Sequence, residues 1–389
     1  MSISHTSRQL DIFRGFAAIL MVMNHAGFEW LSVAGATSGF DGVVVFLGSA
    51  APALFFTATG VGMGLSQRSG IDWPGVLRKV VLLLVADLFL GWGSRRWLGL
   101  DFFAFCAISM LAVSLAAWSR YPVQVAAVGI AACLLARYAF VGRLQPLAGD
   151  FPVVAFATGI EGVANVSYPL SPWLVFPLAG FILGRLSATI GVGAGSVATR
   201  IAVAALATTS GGLAWWLGSR GAVMHRWNTV SVGYFLFVIA FVGAVWLFAD
   251  AVALAAKSRM VAALQTRGPA SLLIVPVHYA LIAVVAEVLS PPWRAATWFL
   301  SALVLCAVAL ACSKWIATCL SRWAVIPRVS RGLALALPAC AAVIAFCVIL
   351  APPLVRLLAA CLGQVLVAAN LARPDQGRPP ARLGLGAMI

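Results

Sequence analysis

Long apolar segments follow one another along almost the whole chain, and they constrain its fold more than any other feature. Each covers about 18–25 residues, the length with which an α-helix crosses a bilayer core roughly 30 Å thick. Only 10% of the residues are charged and 62% are hydrophobic, which is typical of polytopic membrane proteins and excludes an ordinary soluble domain. The sequence predicts spans over residues 10–31, 43–66, 76–93, 102–118, 122–141, 172–189, 197–217, 229–253, 268–289, 293–316 and 333–351.

These segments predict an all-α, polytopic bundle of about 11 transmembrane helices, forming a single membrane domain over residues 1–372. The stretch that follows Pro353, LVRLLAACLGQVLVAANLA, carries Arg356 and Gln364 and predicts either an interfacial helix or a twelfth span. The tail over 373–389 is rich in Pro, Gly and Arg and is expected to be disordered. The loops leave no room for a separate soluble catalytic domain, so any chemistry is expected within the membrane.

The net charge of +15 is interpreted as a sign of topology and not of nucleic-acid binding. Lys and Arg are scattered between the spans, and most of those in loops fall on the cytoplasmic side if the N-terminus is inside, so the sequence predicts a cytoplasmic N-terminus. The Ala- and Arg-rich composition favours the cytoplasmic (inner) membrane of a bacterium. The eight cysteines show no metal-ligand spacing, so the sequence predicts no metal site.

Arg14 and His25 are the clearest candidates for a functional site. They lie in the first apolar segment, LDIFRGFAAILMVMNHAGFEWL. Eleven steps of about 100° bring the two side chains onto nearly the same helix face, roughly 16 Å apart along the axis. Because ionisable side chains are costly inside a bilayer, their presence on one stripe indicates function.

Several sequence segments resemble the transmembrane acyltransferase superfamily. They are RQLDIFRGFAAILMVMNH with APALFFTATGVGMGL, then YPLSPWLVFPLAGFILGRL at 168–186 and GPASLLIVPVHYALI at 268–282. The first resembles acyltransferase family 3, in which an Arg, ten residues and a His share the first span. The other two resemble the heparan-α-glucosaminide N-acetyltransferase-like branch.

The resemblance implies an acyl-CoA-dependent O- or N-acyltransferase. Such an enzyme moves an acyl group, usually acetyl, from cytoplasmic acetyl-CoA to a hydroxyl or amine of a glycan or lipid-linked acceptor outside. Acetyl-CoA is then a substrate, and no permanently bound cofactor is expected. The expected partners are membrane lipids, acyl-CoA and the acceptor, with no nucleic acid; assembly as a homo-oligomer is left open.

The first span supplies the central roles in this interpretation. Arg14 suits the phosphates of acyl-CoA because a guanidinium stays charged and donates in a fork. His25 suits the thioester end because an imidazole takes and returns a proton near neutral pH. Glu29, one turn further, is a candidate for holding the imidazole, and Asp11 for positioning Arg14 through an ion pair.

Further candidates come from the other segments. His278 is expected near the depth of His25, where it is a candidate for binding the acceptor or the carbonyl oxygen. Trp173 and Tyr168 are candidates for stacking on a sugar ring, although an interfacial aromatic belt explains them equally well. Arg78 and Lys79 are candidates for binding the nucleotide phosphates.

The sequence leaves three alternatives open. His25 is either a general base for the acceptor or a nucleophile that carries the acyl group. A secondary transporter or a flippase for lipid or polysaccharide intermediates is the main rival, although the chain shows no repeated halves. A scaffold subunit of an envelope polysaccharide assembly is the third.

Overall fold

The computed structural model describes residues 3–31, 39–66, 71–93, 101–140, 142–144, 146, 154, 157–158, 167–189, 196–224, 230–255, 259–266, 268–289, 295–324 and 352–371. All the regular elements in this part of the chain are helices. They are α1 (Ile3–Trp30), α2 (Gly39–Gly48), α3 (Ala51–Ser66), α4 (Trp73–Gly93), α5 (Phe102–Trp118), α6 (Pro122–Leu134), α7 (Val175–Thr189), α8 (Val197–Ser219), α9 (Val232–Ala255), α10 (Arg259–Leu264), α11 (Gly268–Leu289), α12 (Ala295–Ala324) and α13 (Pro353–Leu371), together with two short helical turns, Leu135–Ala139 and Leu170–Trp173. The expectation of an all-α polytopic bundle is therefore confirmed.

Eight helical segments within the described residues are long and apolar enough to cross a membrane. The remaining long helices, α1, α4 and α5, pack among them: α1 and α4 carry charged side chains, and α5 has 17 residues. The predicted span over 333–351 and the tail over 373–389 lie outside the described residues.

Two predicted spans are interrupted in the structure. The span over 43–66 divides into α2 and α3 at Ser49 and Ala50, where the Ser49 hydroxyl donates to the carbonyl of Phe46 at 2.5 Å. Pro52 lies three residues after Ser49. Because proline has no N–H, it interrupts the backbone hydrogen bonds that a continuous helix would need there. The span over 122–141 ends in a π-helical turn, Leu135–Ala139.

The helix α13 packs into the bundle against α4, α11 and α12. Its residues Arg356 and Gln364 are buried, and the Gln364 amide donates to the carbonyl of Ala86 on α4. It is also among the eight candidate spans. Of the two alternatives for this segment, the structure favours a membrane-spanning helix.

The first helix is the centre of the arrangement, because α2, α3, α9, α10, α11 and α12 all pack against it. Its ends are held by side chains that reach the backbone of other helices. Gln9 donates to the carbonyl of Trp246 on α9, and Asn24 donates to that of Val45 on α2 at 2.7 Å. The face that carries His25 is thereby fixed relative to its neighbours.

Glycines allow α3 and α7 to approach each other closely. Gly60 and Gly64 on α3 face α7, while Gly180 and Gly184 on α7 face α3. A Cβ added at Gly180 would lie 2.2 Å from the carbonyl oxygen of Thr57, which is backbone and cannot move aside. Small residues at four-residue spacing are the usual means by which membrane helices make close contact.

We predict that Gly180→Ala destabilises the protein by about 1–3 kcal/mol, the usual cost of overpacking a tight contact. The matched control is Gly212→Ala on α8, where an added Cβ would meet nothing within 4 Å. Because alanine has a higher helix propensity than glycine, that control substitution should be neutral or slightly stabilising. Unfolding in detergent measures both, and equal stability of the two variants would contradict the packing described.

Candidate active site

Two histidines from different helices meet inside the bundle. His25 of α1 and His278 of α11 approach with their Nδ1 and Nε2 atoms 2.7 Å apart. The Nδ1 of His278 lies 2.6 Å from the carbonyl oxygen of Ile274, one turn earlier on its own helix. The two imidazoles and a backbone carbonyl therefore form one continuous hydrogen-bonded chain.

These hydrogen bonds determine which nitrogen of each imidazole carries a proton. The carbonyl of Ile274 can only accept, so Nδ1 of His278 carries a hydrogen and donates. In the neutral ring, Nε2 of His278 is then an acceptor, and Nδ1 of His25 must donate to it. The remaining nitrogen of neutral His25, Nε2, is left with a lone pair that can take a proton.

His25 lines a cavity of about 140 Å³, which we call the histidine cavity. Asp101, Tyr168 and Tyr279 also line it. The ring of Tyr279 lies against both imidazoles, with centroids 4.8 Å from His25 and 4.5 Å from His278. Burial and the nearby Asp101 raise the pKa of Tyr168 well above its usual value, so its hydroxyl remains a neutral donor.

A second cavity of about 40 Å³ lies nearer the N-terminal ends of α1 and α11, and we call it the lysine cavity. Lys79, Thr59 and Ser271 are among its polar lining residues. The helices α3, α4, α5 and α11 line both cavities, so the two are stacked along the bundle axis. Lys79 and Leu90 belong to opposite cavities, and eleven residues of α4 separate them by roughly 16 Å.

Arg14 is buried with 2% of its surface exposed, and its Nη1 lies 3.4 Å from Oδ1 of Asp11. Its Nη2 has no hydrogen-bond partner among the described residues. Although Arg14 and His25 were expected on one helix face, Arg14 lines neither cavity, so the two side chains do not border a common cavity. Arg14 lies on the side of the lysine cavity, because Thr266, just before α11, donates its N–H to the carbonyl of Asp11.

Glu29 does not hold the imidazole of His25. Glu29 is exposed, and the imidazole is held instead by His278, whose Nε2 lies 2.7 Å from Nδ1 of His25. An i, i+4 partner on one helix was the natural expectation, but the neighbouring helix offers a buried partner. The proposed role of His278 as a direct ligand of the acceptor is likewise not supported, since both of its nitrogens are engaged.

The other predicted site residues separate into two groups. Tyr168 and Lys79 line the histidine and lysine cavities respectively. Trp173 is only 1% exposed and packs edge-on against Phe56 and Tyr168, so it belongs to the core and presents no face to a sugar. Arg78 donates to the carbonyl of Asn370 and attaches α13 to α4.

Sequence reasoning missed Asp101, Ser49 and Tyr279. Asp101 precedes α5, and its carboxylate accepts from the N–H of Phe102 at 2.8 Å, a capping pattern that the sequence does display. Ser49 accepts a hydrogen bond from the hydroxyl of Tyr234 across the bundle, a contact that the local sequence does not indicate. Tyr279 follows His278 directly and could have been considered with it.

One comparison with known proteins gave a match. The family model described as "Heparan-alpha-glucosaminide N-acetyltransferase, catalytic" matches residues 7–217, just over half of the chain. This range includes His25, Lys79 and Asp101, whereas His278 and α13 lie beyond it. No curated protein and no solved structure matches the chain. The resemblance to acyltransferase family 3 stays a prediction.

We predict that neutral His25 carries its proton on Nδ1, the nitrogen bonded to His278. Nitrogen-15 NMR of histidine-labelled protein measures this directly, and the chain has only four histidines. Replacing His278 with Phe removes the acceptor, so the His25 ring should lose its single tautomer and show a mixture. A proton on Nε2 of His25 in the unmodified protein would contradict the assigned chain.

Proposed function

The chain belongs to the heparan-alpha-glucosaminide N-acetyltransferase catalytic family, and from this premise we propose its specific reaction. The chain is a multi-pass membrane acyltransferase. It takes an acetyl group from acetyl-CoA on the cytoplasmic side and transfers it to a hydroxyl or amine of a glycan or other extracytoplasmic acceptor. The observation that carries the proposal is the 2.7 Å contact between Nδ1 of His25 and Nε2 of His278, which leaves Nε2 of His25 as the basic nitrogen of a residue that lines the histidine cavity.

The histidine pair supports general-base chemistry. Nε2 of His25 removes the proton from the acceptor as the acceptor oxygen or nitrogen attacks the thioester carbonyl carbon. The C–O or C–N bond forms, the C–S bond breaks, and the imidazolium returns its proton to the leaving thiolate. Throughout, His278 accepts from Nδ1 of His25 and keeps Nε2 directed to the reaction, as the acid does in a Ser-His-Asp triad.

The same Nε2 atom also serves the second route, in which it attacks the thioester and carries the acetyl group as an acyl-imidazole. The two routes differ in one measurable species. Radiolabelled acetyl groups retained on the protein after rapid quenching, and missing from His25→Ala, identify the acyl carrier. Their absence at times when product is forming identifies the general base.

The stacked cavities support a path for the donor. In acyl-CoA, a pantetheine arm joins the diphosphate to the thioester, and the roughly 16 Å between Lys79 and the histidine cavity is comparable with that arm. Lys79 would meet the phosphates at the lysine cavity, and the buried Nη2 of Arg14 offers another donor on the same side. With the N-terminus in the cytoplasm, this side faces cytoplasmic acetyl-CoA.

We predict that His25→Ala lowers kcat for acetyl transfer about 10²- to 10⁴-fold, the usual contribution of a general base. The KM for acetyl-CoA should change little, because the loss is in the chemical step. Glu29→Gln is the matched control on the same helix, since Glu29 is exposed, and it should keep wild-type kcat. Wild-type turnover in His25→Ala would refute the mechanism.

We predict that Arg14→Gln raises the KM for acetyl-CoA about ten- to a hundredfold, as expected for the loss of one charge-assisted hydrogen bond. Arg322→Gln, an exposed position on α12, is the control and should leave the KM unchanged. Asp11→Asn separates a structural role from a binding role: it breaks the ion pair but keeps the Arg14 charge. If both variants only lower thermal stability and neither changes the KM, Arg14 does not bind the donor.

A further inference from the structure

One aromatic ring lies where the two stacked cavities meet. Phe102, the first residue of α5, is the single residue common to the described linings of the histidine cavity and the lysine cavity. On α3, α4 and α11, the residues of the lysine cavity lie about one to three turns from those of the histidine cavity. Phe102 therefore lies at the junction of the two cavities, on the axis along which they are stacked.

The backbone of Phe102 is held from two sides. Asp101 accepts from the N–H of Phe102 at 2.8 Å, and Asp87 on α4 accepts from the N–H of Ala104 at 2.9 Å. Two carboxylates thus satisfy amide groups of the first turn of α5, which have no partner within the helix. The start of α5, and with it the Cα of Phe102, is fixed relative to α4.

The ring of Phe102 is also held by its neighbours. It packs edge-on against Phe55 and stacks on Phe56, with centroids 5.6 Å away in both contacts. Both partners come from α3, which the close glycine contacts attach to α7. These contacts hold the ring at the border of both cavities.

We propose that Phe102 determines the length of the acyl group that the enzyme transfers, an inference that rests on the proposed function. The thioester must reach His25 within the histidine cavity, whose volume of about 140 Å³ must hold the acyl group and the reacting end of the acceptor together. A cavity of about 150 Å³ holds one benzene molecule, so this space suits an acetyl group beside the reacting end of the acceptor and not a long acyl chain.

The space beyond the ring is apolar enough to hold a longer chain. Phe55, Leu83, Met110 and Leu272 line the lysine cavity on the far side of Phe102. Removing the ring frees its volume where the two cavities meet, so that a longer acyl chain can lie against this apolar wall beside the pantetheine arm. Each methylene that becomes buried favours the longer donor by about fourfold, from the transfer free energy of one CH₂ group.

The experiment compares purified wild-type protein with Phe102→Ala and Phe102→Leu, using acetyl-, butyryl- and hexanoyl-CoA as donors. We expect kcat/KM for hexanoyl-CoA relative to acetyl-CoA to rise at least about tenfold in Phe102→Ala, with a smaller rise in Phe102→Leu. Phe103→Leu is the matched control: its side chain is adjacent, 1% exposed and outside both cavities. It should lower stability without changing the preference for acyl length.

Binding of the unreactive thioethers S-ethyl-CoA and S-hexyl-CoA gives a second measurement that does not depend on turnover. S-hexyl-CoA should gain affinity over S-ethyl-CoA in Phe102→Ala and not in Phe103→Leu. An unchanged preference in both Phe102 variants, or an equal change in the control, overturns this inference while leaving acetyl transfer by the wild type intact. Failure of the wild type to transfer acetyl groups overturns the proposed function itself.

Discussion

The absence of water from the middle of a bilayer is the constraint on which the rest of this structure depends. A polar side chain there must find its hydrogen-bond partner within the protein, because an unsatisfied group costs several kcal/mol. The contact between His25 and His278 is the most consequential result of this requirement. It joins α1 to α11, fixes the proton positions of both rings and leaves one nitrogen of His25 able to take a proton.

The same requirement explains how the helices around α1 are kept in register. Several polar side chains donate to a backbone carbonyl of a different helix, as Gln9 does to α9, Asn24 to α2 and Arg78 to α13. Apolar contacts alone fix such positions poorly, since lipid tails are as apolar as the helix surfaces. Directional hydrogen bonds and close glycine contacts therefore fix the relative positions of the helices, and with them the geometry of the site.

The sequence predicted the features that depend on one helix at a time. The spans follow from apolar length, and the common stripe of Asp11, Arg14 and His25 follows from helical periodicity. The ion pair between Asp11 and Arg14 has the predicted i, i+3 geometry. The interruption at Ser49 and Pro52 could also have been predicted, because proline has a known effect on a helix.

Features that depend on how two helices pack together could not be predicted from the sequence. The distance from His25 to Glu29 is fixed by one helix, whereas the distance to His278 depends on how α11 packs on α1, 253 positions later in the chain. Trp173 was assigned to a surface because it lies near the end of a span. Its burial depends on Phe56 and Tyr168 meeting it in space, which no periodicity encodes.

The identity of the partner of His25 follows from the same physics. A carboxylate beside the imidazole would stabilise the imidazolium more strongly, but in the resting enzyme it would place a charge deep in the bundle, where desolvation is expensive. A second imidazole that donates to the carbonyl of Ile274 keeps all the groups of this hydrogen-bonded series neutral in the resting state. It still offers an acceptor for Nδ1 of His25 when that ring takes a proton. In the proposed mechanism, the second imidazole therefore stabilises the imidazolium of His25 less than a carboxylate would, while the resting site carries no net charge in the membrane.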